Sequence, residues 1–255
     1  MKRTLFYLAI LIGSLQLWGA KTNIRAALGV PDMEAIAAAS VDPNSEYYYP
    51  RLLNEFLRND TTMSNEEFQY FYYGTMFQED YDPYREAPAP ALLQELIPIY
   101  AKEKRTRAER NKMLDYADIV LASNPIDLRQ LTNRIYVYEQ NGKYDLAKIW
   151  QFKLNHLLLV IAASGNGSDP QNAFVVVYPQ HEYDFLNLSG QIATGQQFEA
   201  PYYDVIATTR RDNGAQGGYY FNISEILNQY FIKHPAELEK NSASNDYSLV
   251  REDYQ

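Results

Sequence analysis

The densest run of chemistry-bearing side chains in this chain is His181-Glu182-Tyr183-Asp184. An imidazole beside two carboxylates supplies the ligand types of a zinc centre and the raw material of general acid–base catalysis. The spacing works against both uses. Residues 182–188 alternate as a strand does, and on a strand His181 and Tyr183 face one way while Glu182 and Asp184 face the other. Zinc needs three or four converging ligands. The cluster therefore reads as a polar hairpin corner with a hydrogen-bonded histidine, and no metal or cofactor site is expected. His156 lies among Leu154, Leu157 and Leu158 and reads as a packing residue, and His234 ends a helix before Pro235, where a cation favours the helix dipole. Three histidines among many serines and acids define no catalytic triad, which is a matter of proximity in space. The small-residue loop from Ser164 to Ser168 lacks the Lys-Ser/Thr ending of a phosphate loop and leads into a strand. Asp80, Asp82 and Glu86 lack the glycine and spacing of a calcium loop.

Composition narrows the classes further. There is no cysteine, which excludes disulfides, thiolate catalysis, cysteine zinc sites and a lipid-acylated N-terminus. The formal net charge of −9 repels phosphate backbones, and no basic stripe compensates, so no nucleic-acid partner is expected. A local basic cluster at Lys102, Lys104, Arg105, Arg107, Arg110 and Lys112 reads as a solvated helix face. Tyrosine is the outlier, with 23 copies gathered around residues 47–49, 70–73, 202–203 and 219–220. Its apolar ring and wet hydroxyl suit half-buried binding faces. The helical clusters are expected to fill the core. Tyr183, Tyr202, Tyr203, Tyr219 and Tyr220, on the strands, are the candidate partner-binding residues. The cluster His181, Glu182 and Asp184 is kept beside them as a weaker polar candidate.

The elements that must position these residues begin after a leader. Residues 1–20 carry Lys2 and Arg3, an apolar run, and Gly19-Ala20, the layout of a secretory signal. The run is shorter than the roughly 20 apolar residues of a membrane span, so cleavage after Ala20 is expected, an uncleaved anchor being the alternative and the one route to a membrane. The mature chain reads as an α+β protein. Its helical region covers residues 21–163 and includes a capping box, Ser64 to Glu67, a helix over 107–123, and a hairpin turning at Asn141-Gly142. That hairpin resembles one tetratricopeptide repeat, with Tyr138, Gly142, Tyr144 and Ala147 at its packing and turn positions. Pro98 is expected to break or kink its helix. Residues 164–239 read as a small antiparallel meander with strands near 173–178, 182–188, 202–209 and 219–223, a hairpin at Asp212-Asn213-Gly214, and a covering helix over 225–233 capped by Ser224. Segments 75–90 and 189–200 read as long loops, and residues 240–255 as a frayed polar tail.

Several segments also carry a family resemblance: NSEYYYPRLL at 44–53, NDTTM at 59–63, YYG at 72–74, QEDYDPY at 78–84, NPIDLR at 124–129, AKIWQFKLNH at 147–156, HEYDFLN at 181–187 and YYFNI at 219–223. Together they resemble domain-of-unknown-function family 4919, secreted proteins of gut Bacteroides-type bacteria. The resemblance implies export across the inner membrane, to the periplasm or beyond, and implies no activity. With no catalytic motif in view, the leading reading is a non-enzymatic exported envelope protein that binds a protein or glycan partner. Two alternatives stand beside it. One is an envelope hydrolase acting on glycans or peptides through paired carboxylates such as Glu182 and Asp184 with Glu199 or Asp204. The other is a structural helper in an envelope assembly.

Overall fold

The computed structural model describes residues 28–58 and 61–237. The leader over 1–20 and the tail over 240–255 lie outside the described residues. The chain is α+β: a helical half leads into a four-stranded sheet and a final helix.

The helical half begins with α1 (Met33–Val41), α2 (Tyr49–Leu57) and α3 (Asn65–Gly74). Helix α3 opens on the expected capping box: Ser64 Oγ accepts from the Glu67 N–H, and the Glu67 carboxylate accepts from the Ser64 N–H. It is the most deeply buried helix of this half. Phe68, Phe71, Tyr72 and Tyr73 are all buried, and Phe71 packs on Phe56 of α2 with ring centroids 4.7 Å apart. The tyrosines of the helical clusters thus divide, with Tyr49, Tyr72 and Tyr73 in the core and Tyr47 stacked on Tyr70 nearer the surface.

Helices α4 (Pro90–Tyr100), α5 (Arg107–Ser123), α6 (Leu128–Gln140) and α7 (Tyr144–Ser164) follow. Pro98 does not break α4, which continues to Tyr100. Proline has no N–H to give to the carbonyl four residues back, so α4 loses one intrahelical hydrogen bond there, and only two residues of the helix follow it. The basic cluster is not simply a solvated face. Arg105 turns back to donate from Nε to the Ile99 carbonyl at 2.9 Å and from Nη2 to the Tyr100 carbonyl at 2.6 Å, closing the C-terminus of α4. Helices α6 and α7 form the hairpin expected around Asn141-Gly142, with Gly142 at φ +72°.

The second half departs from a simple meander. Strand β1 is only Phe174–Val175 and pairs in parallel with β4 (Gln216–Asn222). Residues 182–188 are not a strand: they belong to helix α8 (Pro179–Leu188). Pro179 at the first helical position favours the helix start. The helix is buried on most sides, so it shows no single apolar stripe, and a short stretch of that kind mimics strand alternation. Residues 191–199, expected as loop, form β2 (Gln191–Glu199), an edge strand paired along its length with β3 (Tyr203–Arg210). The strand order is β1-β4-β3-β2. The β3–β4 hairpin turns at Asp212-Asn213-Gly214 as expected, with Gly214 at φ +71°. The last helix, α9 (Ser224–Lys233), starts at Ser224 itself, and Asn222 Oδ1 accepts from the Ser224 N–H at 3.0 Å.

One hydrophobic core runs through both halves, from Ile36 through Phe71 and Leu157 to Phe174, Phe221 and Phe231. A smaller one joins α4, α5 and α6 through Leu96, Met113 and Val137. The joint between the halves is tight. A Cβ on Gly165 would lie 2.3 Å from the Ala173 carbonyl oxygen and 2.4 Å from that of Asn172. These obstacles are backbone and cannot rotate away. Gly165→Ala is therefore expected to destabilise the chain by about 2–4 kcal/mol, as backbone strain and overpacking do. Gly195→Ala, whose added methyl meets only Ala207 Cβ at 3.8 Å, serves as the tolerated comparison in chemical denaturation.

Candidate functional site

Helix α8 buries the whole polar cluster. His181 and Glu182 are 0% exposed and Asp184 is 6% exposed. The structure thus replaces the two-faced strand by a helix on which His181 and Asp184, three apart, share a side.

His181 is a core histidine. Its Nδ1 lies 2.8 Å from the Tyr72 hydroxyl, which also accepts from the Val177 N–H at 3.4 Å. Nδ1 and the Tyr72 hydroxyl share one hydrogen bond in either tautomer, and Nε2 is buried without a hydrogen-bond partner. Burial pushes the imidazole pKa down to about 3, and the Arg129 charge adds to the shift. The ring stays neutral and joins α8 to α3.

Asp184, on the same side of α8, lines a cleft of about 340 Å³ where α4, α5, the start of α6, the segment 82–88 and α8 meet. Arg129 donates to Asp184 Oδ1 from Nε at 3.0 Å and from Nη2 at 2.9 Å. Asp184 Oδ2 is buried and has no hydrogen-bond partner. Burial pushes the Asp184 carboxyl up to about 6, against the pull of Arg129, and Asp127 adds to the rise. Asp127 itself caps α6: Oδ1 accepts from the Gln130 N–H at 2.8 Å and Oδ2 from Gln180 Nε2 at 3.1 Å. Two ties therefore hold α8 against the N-terminus of α6. Arg129 differs from its partner, with 62% of its side chain exposed. Asn124 Oδ1 and the Tyr100 hydroxyl, also lining the cleft, are buried without hydrogen-bond partners. Tyr178 supplies a ring to the wall, held between Tyr81 and His181 with centroids 5.4 and 5.2 Å away.

The cleft can do three things chemically. It offers unused acceptors at Asp184 and Asn124, a charged donor at Arg129, and aromatic faces. Among the described residues no group of three or more His, Asp or Glu side chains could hold a metal ion.

The five candidate tyrosines are half-buried rather than exposed, and they do not form one surface. Residues on a strand alternate between faces. Tyr219 pairs with Ile206 on the inner face, which packs toward α8; its hydroxyl accepts from Gln191 Nε2 at 3.2 Å, and Tyr183 donates to Gln196. Tyr220 and Tyr203 point to the outer face, where the Tyr220 hydroxyl donates to Glu199 at 3.2 Å. Tyr202, just before β3, packs on Tyr203 with centroids 4.8 Å apart. The proposed carboxylate partners scatter as well. Asp204 is 0% exposed under the sheet and Glu199 lies on its far face.

Fold and cleft together define an α+β protein with a ligand-sized recess between a helical block and a helix that backs onto a sheet. The chain belongs to the family described as a domain of unknown function (DUF4919), which matches residues 34–231. No curated protein and no solved structure matches it. Three of the segments that carry the family resemblance, 78–84, 124–129 and 181–187, contribute side chains to the cleft wall. Of the candidate binding residues only Asp184 lines the cleft, joined by Asp82 and Glu86, which the sequence offers as poor calcium ligands. The signal for Asp127 and Arg129 was present as the helix-capping pattern of 124–129, but nothing local linked it to α8.

His181 and Asp184 shift in opposite senses, which makes a clear acid signature. A depressed histidine contributes stability that is complete above 6.5 and is lost as pH falls toward about 3. A raised carboxyl does the reverse: between 3.8 and about 6 the folded form holds the extra proton, so stability falls as pH rises. The two slopes, each up to about 1.4 kcal/mol per pH unit, oppose one another in the native chain. Asp184→Asn should unmask the acid loss due to His181, and it should exceed the native stability most above pH 6. His181→Gln should instead leave a protein that gains stability on acidification. Parallel pH curves for all three would refute this assignment.

Proposed function

We propose that this chain is an exported, non-enzymatic glycan-binding protein whose ligand sits in the cleft against Arg129 and Asp184. The observation that carries the reading is the unused Oδ2 of a carboxylate that is otherwise nine-tenths buried, set beside an exposed guanidinium. A sugar hydroxyl accepts and donates at once, so it can accept a hydrogen bond from Arg129 and donate one to Asp184. Asn124 and Tyr100 offer further polar positions, and Tyr178 and Tyr116 offer ring faces. Small-molecule sites have this makeup: apolar and aromatic walls with a few convergent polar groups. The secretory layout of residues 1–20 supports an extracytoplasmic setting. No helix of the described residues is long and apolar enough to cross a membrane.

A protein partner on the tyrosine face is the weaker reading, because those rings divide between two sides of the sheet. Of the carboxylates that the hydrolase reading invokes, only Asp184 lines the cleft: Glu182 and Asp204 are fully buried, and Glu199 bonds Tyr220 on the outer face of the sheet. A structural-helper role rests on no feature of the cleft.

Residues 21–255 should be titrated calorimetrically against methyl glycosides of common hexoses and pentoses and their linear oligomers. A saturable heat is expected for at least one series. Arg129→Ala and Asp184→Ala should each weaken it by about 10- to 100-fold, as loss of a hydrogen bond to a charged group does. Tyr203→Ala with Tyr220→Ala should leave it in place. Undiminished binding by Arg129→Ala would take the ligand out of this cleft, and sugar release over time would move the chain to the hydrolases.

A further inference from the structure

The cleft has a neighbour. A second cavity, of about 430 Å³, lies between the segment 79–85 and the end of α9. Asp82, Pro83 and Arg85 line both cavities, so the two recesses share one wall. That wall is held from both sides. Arg85 donates to the Ser123 carbonyl at 3.4 Å and to the Asp80 carbonyl. Lys233 of α9 donates to the Glu79 carbonyl at 2.8 Å and to that of Tyr81. Tyr84 packs edge-on against Tyr230 at 5.0 Å. The partition is thus a braced strap between two polar recesses.

The second recess has acceptor capacity to spare. Glu79 and Asp80 line it as exposed carboxylates, which are hydrogen-bond acceptors. His234 donates from Nδ1 to the Tyr230 carbonyl at 3.0 Å, which leaves Nε2 as the ring's second polar position. Its ring stacks on Tyr230 at 4.2 Å, which fixes its direction. Both recesses therefore offer acceptors to a donor-rich ligand, and each has the size of a small-molecule site.

Building on the glycan reading, we propose that the two cavities are consecutive subsites of one groove, and that the ligand is a linear oligosaccharide crossing the strap at Arg85. One sugar unit would rest against Asp184 and Arg129, and a later unit against Asp80 and His234. Binding energy would then grow with chain length until the second recess is filled.

The test uses residues 21–255 and the mono-, di-, tri- and tetrasaccharides of whichever series binds. The tetrasaccharide should bind at least about tenfold more tightly than the methyl monosaccharide. In His234→Ala and in Asp80→Asn, that ratio should fall toward one. Melting temperatures measured alongside show whether either variant has lost its fold, and the two substitutions act on different elements. A native ratio near one, or a ratio unaltered in both folded variants, would overturn the second subsite while leaving the glycan site intact. Absence of binding by every sugar tested would overturn both readings together.

Discussion

A ten-residue helix loaded with ionisable side chains is wedged between a helical block and a sheet, and the rest of the structure answers to that burial. Charges removed from water are costly unless they are paired or neutralised. Helix α8 meets the constraint differently at each position. His181 gives up its charge and is held by the Tyr72 hydroxyl. Asp184 keeps a guanidinium at its side, with a pKa near 6 that records how incompletely that partner offsets burial. Gln180 completes the cap residue of the neighbouring helix. Through these contacts α8 fixes where α3, α6 and β2 stand relative to one another.

The cleft follows from the same constraint. Arg129 satisfies one oxygen of Asp184 and leaves the other bare. A well-packed core would avoid such an atom, since a buried polar group without a partner costs stability. Such an atom at the wall of a recess, beside the equally bare Asn124 Oδ1 and Tyr100 hydroxyl, is the observation on which the proposal of a bound ligand rests. The strap at 79–85 bounds this recess and is braced by Arg85 and Lys233 from opposite sides. It lies on the surface, where loops commonly carry binding.

The abundance of tyrosine has a plainer meaning than its clustering suggests. Tyr72 and Tyr81 use their hydroxyls inside the core, on His181 and on the Val177 carbonyl. Adjacent pairs such as Tyr219 and Tyr220 are parted by the two-residue period of the strand, so neighbours in sequence end on opposite faces. The rings serve several separate packing and hydrogen-bonding sites.

What the sequence by itself determined was local. The capping box at Ser64, the bounds of the helix at Arg107–Ser123, the turns at Gly142 and Gly214, and the α+β class were legible because each rests on contacts a few residues apart. Family membership was legible because the motifs run along the whole chain. Tertiary structure alone decided that residues 182–188 are helix and that 191–199 are strand. The first is enclosed on several sides, so no single period shows; the second is polar and becomes a strand only by pairing with β3. The cleft was illegible for the same reason at longer range. Arg129 and Asp184 are 55 positions apart, and only the docking of α8 onto the start of α6 makes them one group.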